Sequence, residues 1–184
     1  MCMFLSIGRT AKLGKELKLL ELDIVGEVYK FTKDVSEAHG ASLQGSIKST
    51  ALASGALSFF LYALDRVCRS SGDDTEIGAV LSEIISAPSV ADIVGKFGRE
   101  CSEAAGLRTH VEQMNSHLAE ASSLTGTRLE DRNSALWLAA VRISAEAGPP
   151  EEKLMVYIVQ SRLLIGLIRL NLVKRVEIID ALMR

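Results

Sequence analysis

An all-α single-domain bundle, with about six or seven helices around a buried central second helix and a long C-terminal helix, is the fold this sequence predicts. Three observations predict it. The stretch Ser49–Leu64, STALASGALSFFLYAL, contains no charge. A helix needs ~20 apolar residues to span a bilayer, so this one falls short, and a helix apolar on every side belongs inside a protein. Apolar residues recur at spacings of three and four along most of the chain, the period of a helix face. Finally, 184 residues with 48% hydrophobic but only 5% aromatic content and 3 prolines favour helices over a β-sandwich. One domain spanning residues 1–184 is the natural reading of this length.

The first helix is predicted from Thr10 to Ala38, with Leu13, Leu17, Leu20, Ile24, Val28, Phe31 and Val35 on one face. Leu19, Leu22, Val25 and Tyr29 widen that stripe, and Gly40 is the expected stop. The second helix is predicted from Ser42 to Cys68 or Arg69. Ala51, Ser54, Gly55 and Ser58 form a small-residue stripe there, opposite a heavier face of Leu52, Ala56, Phe59, Ala63 and Val67. Such a stripe lets another helix approach closely. The SSGDD turn at Ser70–Asp74 leads to a short third helix, Thr75–Ser86, with Asp73 and Glu76 spaced as a capping box. Pro88 breaks the chain, and Ser89 starts a fourth helix lined by Val90, Ile93, Val94, Phe97 and Cys101.

Gly106 marks a break or kink before a fifth helix carrying Leu107, Val111, Met114, Leu118 and Ala121, which Gly126 is expected to end. Thr127 is then the expected cap of a sixth helix, with Leu129, Leu136, Ala140 and Ile143 inward and Trp137 beside them. Gly148-Pro149-Pro150 is the sharpest boundary in the chain. Pro150 suits a first helical turn, and Glu151 and Glu152 suit the positive end of the helix dipole. From there the last helix is predicted to run unbroken to about Leu182.

A net charge of −2 and a pI near 6.0 leave no broad basic field, so no nucleic-acid partner is expected. Cys2, Cys68 and Cys101 form neither a disulfide framework nor a CxxC motif, and free thiols suit a reducing, cytoplasmic setting. The N-terminal MCMFLSIGRT has no positive charge ahead of its short apolar run, so no secretory signal is expected there.

Motifs that carry chemistry are scarce. Glu103, His110 and His117 are spaced by seven, which places neighbours about 10 Å apart on a helix, too far for one ion. The Glu-x-x-His pairs of di-iron bundles are missing, because Ser36, Leu107 and Met114 precede the three histidines by three. No metal and no cofactor is therefore expected. Gly8–Lys15 (GRTAKLGK) lacks the Ser or Thr after the lysine and the preceding strand of a phosphate loop. Gly40–Gly45 misses the spacing of a nucleophile elbow by one residue. Cys68 and Cys101 read as small core residues on apolar helix faces.

Arg162 and Arg169 stand out. They lie seven apart in LMVYIVQSRLLIGLIRLNLV, a run otherwise free of charge. As functional residues they form an anion clamp or a partner contact. As structural ones they pair with acids of the first or fifth helix while their stems cover the core. Each central Arg would cost ~2.5–3.5 kcal/mol in a bilayer, so no membrane span is expected. Lys12, Lys15, Lys18, Lys30 and Lys33 interleave with Glu16, Glu21, Glu27 and Asp34, which predicts a solvated face with i,i+4 pairs.

Three functional expectations follow. The foremost is a non-enzymatic interaction or scaffolding protein that forms a homodimer or meets another protein through its C-terminal helix. There Leu163, Leu167, Leu170 and Val173 add to Ile158, Ile165, Ile168 and Leu172 more apolar surface than one domain covers. The second is a small-molecule binder with an apolar cavity and Arg162 or Arg169 facing an acidic head group. The third, and least supported, is a metal-dependent enzyme.

Overall fold

The computed structural model describes residues 2–42, 46–71, 112–128, 131–148 and 153–183. Among them are five helices and no strand: α1 (Cys2–Ser42), α2 (Ser49–Ser71), α3 (Ala135–Ala147), α4 (Lys153–Leu170) and α5 (Leu172–Met183). A further helical stretch covers 112–118. The third and fourth predicted helices, Thr75–Ser86 and the one from Ser89, lie outside the described residues. So do Gly106, His110 and Cys101.

Successive helices pack as a ring. α1 lies against α2, α2 against α3, α3 against α4, and α4 against α1, while α5 rests on α1 and α2. α2 and α3 run antiparallel. The amide of Lys48 donates to Ala147 O at 2.7 Å, and Gly55 lies on Ile143, so α2 descends as α3 rises.

The uncharged segment is the spine of this ring. From Leu52 to Leu64 every residue of α2 except Ser54 is buried, and Phe59 and Phe60 are fully enclosed. The inward face of α1 is Leu17, Leu20, Ile24, Val28, Phe31 and Val35, as its spacing predicts. Burial of such side chains, at roughly 1.5–3 kcal/mol each, drives the assembly.

Two glycines set how closely the helices approach. A Cβ on Gly55 would stand 2.5 Å from Ile143 Cγ1, and one on Gly166 would stand 2.5 Å from Phe60 Cζ. The small-residue stripe on α2 thus admits α3, and Gly166 lets the Phe60 ring reach across the bundle to α4.

Several boundaries differ from the predicted ones. α1 starts at Cys2 rather than Thr10 and passes through Gly40 to Ser42, for a length of roughly 60 Å at 1.5 Å per residue. α2 begins at Ser49, not Ser42. The fifth predicted helix ends by residue 118, well before Gly126, because the chain peels away to cap α3. Ser123 O and Leu124 O accept the amides of Ala135 and Leu136, and Ser134 Oγ accepts that of Trp137. All three amides of that first turn are thereby satisfied. α3 consequently starts after Ser134, not at Thr127. Asp131 ties the intervening loop, accepting from the amides of Thr127 and Asn133, and Gly126 supplies the φ of +77° that the turn needs.

The unbroken C-terminal helix is also corrected. Asn171 adopts φ +46° and separates α4 from α5. Asparagine tolerates this left-handed conformation better than any β-branched residue. The interruption changes the packing partners: α4 packs mainly on α1 and α3 and meets α2 at Gly166, whereas α5 packs on α1 and α2. Leu172, Val176 and Ile179 are buried by that move.

Candidate interaction surfaces

The two singled-out arginines face α1. Arg162 Nη1 lies 3.8 Å from Asp34 Oδ2, and Arg169 Nη1 lies 3.6 Å from Glu27 Oε2. Arg175 on α5 continues the series with Glu16 at 3.6 Å and with Asp23. Arginine numbers rise as acid numbers fall, so α1 runs antiparallel to α4 and α5 along one seam. Three arginines there meet four carboxylates. Of the carboxylates that the sequence places among the lysines of α1, Glu16, Glu27 and Asp34 therefore turn sideways to the arginines, while Glu21 keeps Lys18. Within α1, Lys33–Glu37 at 3.8 Å is an i,i+4 pair of the expected kind and Lys18–Glu21 an i,i+3 pair at 2.8 Å.

The four apolar residues named on the C-terminal helix divide. Leu163 and Leu170 are buried in the chain's own core, and Leu167 packs half-buried against it. They are therefore not available as a free surface. Val173 is 56% exposed and Ile168, one of the additional residues, is 69% exposed. The outer face of α4 also carries Leu154 and Tyr157, with Ile158, Leu164 and Ile165 half-buried beside them. Between Leu154 and Leu170 the only charges are Arg162 and Arg169, both engaged with α1. Trp137 of α3 meets Tyr157 edge-on, with ring centroids 5.7 Å apart, and flanks this face.

At the α4–α5 junction Arg169, Leu170, Asn171, Lys174, Arg175 and Ile178 line a groove of about 310 Å³. Its two arginines already face Glu27, Glu16 and Asp23, which leaves little net positive charge. The interior offers little room for a ligand at the levels of Gly55 and Gly166, where the helices touch.

Several buried polar groups are missed in reading the sequence pattern, His39 first among them. His39 is buried near the C-terminal end of α1, and its Nε2 has no hydrogen-bond partner among the described residues. The signal was present, since His39 stands four beyond Val35 and eight beyond Phe31 on the core stripe. Ser36 Oγ and Ser144 Oγ are likewise buried without partners among the described residues. Among the described residues no cluster of three His, Cys, Asp or Glu side chains could hold a metal ion. Glu103 and His110 lie outside the described residues, and His117 is exposed. Cys68 is a buried free thiol, and burial pushes its pKa from 9.0 up to about 11.

Two described stretches are long and apolar enough to cross a membrane by length and composition, Ser49–Ser70 and Lys153–Met183. The first is the core helix, and Asn171 interrupts the second.

No protein-family model, curated protein sequence or solved structure matches this chain.

Proposed function

We propose that this protein is a non-enzymatic helical interaction module that self-associates through the outer face of α4. The observation that carries the reading is Ile168, 69% exposed on an eighteen-residue helix whose only interior charges turn to α1. An uncharged face meets its own copy around a two-fold axis without like-charge repulsion. Val173, Leu154 and Tyr157 extend the apolar surface on either side of it. A cytoplasmic setting belongs to the same proposal, and the free buried thiol of Cys68 suits it. No membrane crossing is part of it: α2 is occupied on its sides by α1, α3 and α5, and arginines interrupt the α4 stretch.

Light scattering on the intact chain at micromolar concentration tests the reading. A dimer that Ile168→Asp converts to monomer supports it. A monomer at every concentration overturns it. Ligand binding behind Arg162 and Arg169 draws less support, because both guanidinium groups already face carboxylates.

A further inference from the structure

We propose that the outer face of α1 docks onto an anionic membrane surface. The fold sorts the charges of α1 by direction. α1 carries lysines and carboxylates interleaved in sequence, yet Glu16, Glu27 and Asp34 face arginines of α4 and α5, as does Asp23. Glu21 is buried and holds Lys18 with both carboxylate oxygens at 2.8 Å. What remains pointing outward is Lys12, Lys15 and Lys30, exposed and without an ion pair among the described residues, together with Lys33 and Glu37, both exposed and in loose contact at 3.8 Å, so that lysines outnumber the remaining carboxylate four to one.

Those lysines bracket an exposed apolar strip. Leu19, Leu22, Gly26 and Tyr29 follow one another at spacings of three, four and three, so they share one side of the helix. Leu22 is 48% exposed, Tyr29 is 61% exposed, and the space beside Gly26 is open. From Lys12 to Lys33 the strip is roughly 32 Å long at 1.5 Å per residue.

The pattern selects among occupants. A second copy laid on this face in either direction sets lysines against lysines, which opposes it. A rigid partner helix would have to fill the gap at Gly26, while a fluid surface needs no such match. Lysine stems reach a headgroup layer while Leu19, Leu22 and Tyr29 enter the acyl boundary, the geometry of a helix lying in the interface.

Cosedimentation of the intact chain with vesicles tests the inference, comparing pure phosphatidylcholine with phosphatidylcholine carrying about one-third phosphatidylserine. Binding is expected to the anionic vesicles only and to weaken as salt rises from about 0.1 M to 1 M. Each lysine contributes about fivefold to such binding, so the triple change Lys12→Glu, Lys15→Glu and Lys30→Glu should weaken it about a hundredfold or more. Replacing Leu22 and Tyr29 by Ser should weaken it about tenfold or more. Circular dichroism of each variant checks that the helices persist. No preference for anionic vesicles, or equal binding by the lysine variant, overturns the inference. Capture of an acidic amphipathic peptide without vesicle binding overturns it in favour of a protein partner. Light scattering without lipid reads self-association separately, so the two proposals fail independently.

Discussion

Arg169 of α4 faces Glu27 of α1 at 3.6 Å, and seven residues away on both helices Arg162 faces Asp34 at 3.8 Å. Seven residues are two helical turns, so the equal spacing records two helices in antiparallel register. The seam fixes that register and also draws Glu16, Asp23, Glu27 and Asp34 to one side of α1, leaving Glu37 exposed.

A double-mutant cycle on Arg169→Ala and Glu27→Ala should return a modest coupling. Arg169 is well exposed, so solvent screening holds the pair to roughly 0.2–1 kcal/mol. Urea denaturation measures it, and the coupling should shrink at about 1 M salt. A coupling above about 2 kcal/mol would mean that the pair is effectively shielded from water.

Two glycine substitutions should act in opposite directions. At Gly55 an added methyl group meets Ile143 Cγ1 at 2.5 Å inside the core, so Gly55→Ala should cost ~1–3 kcal/mol. At Gly26 nothing lies within 4 Å of the new methyl, so Gly26→Ala should add ~0.5–1 kcal/mol by helix propensity. Thermal melts separate them, with a change of about 2–4 °C per kcal/mol for a chain of this size. A stabilised Gly55→Ala would disprove the close α2–α3 contact.

Asn171 offers a backbone test. With φ at +46°, Asn171→Gly should be nearly neutral, while Asn171→Val should cost at least ~1–2 kcal/mol. Urea midpoints of the two variants report the difference. If valine were tolerated as well as glycine, α4 and α5 would have to join as one continuous helix.

Cys68 gives a pH-dependent expectation. Burial raises its thiol pKa from 9.0 to about 11, with Asp65 adding in the same direction. The unfolded thiol ionises first, so the unfolded state binds fewer protons between these values and stability falls as pH rises from about 9 to about 11. Below pH 9.0 the contribution is fully present. Chemical denaturation across that range should show a downward slope that Cys68→Ala makes shallower. The native thiol should also resist alkylation at neutral pH and react once the chain is unfolded.

Periodicity made most of the fold legible. Leu20, Ile24, Val28, Phe31 and Val35 are buried where their spacing puts them, and so is the charge-free centre of α2. The break at Asn171 was less legible, because an asparagine in an apolar run carries no helix-stop signal comparable to proline. The start of α3 is illegible in the sequence for a different reason. Its amides are capped by Ser123 O and Leu124 O, partners that only the folded loop supplies. The four residues offered as an interface divided because spacing places side chains on a helix face but does not say which face a neighbour covers. Leu163 and Leu170 fell inward, and Val173 stayed out.

By itself the sequence determined the helical class, the identity of the sheltered segment and the candidacy of Arg162 and Arg169. Those depend on local periodicity and charge, which are properties of neighbouring residues. The tertiary structure decided where the charges point. Glu27 and Asp34 alternate with lysines along the chain, yet the approach of α4 and α5 draws them to one side and leaves Lys12, Lys15 and Lys30 facing outward. Electrostatic partners are chosen by distance in space, and distance between remote segments exists only once the chain has packed.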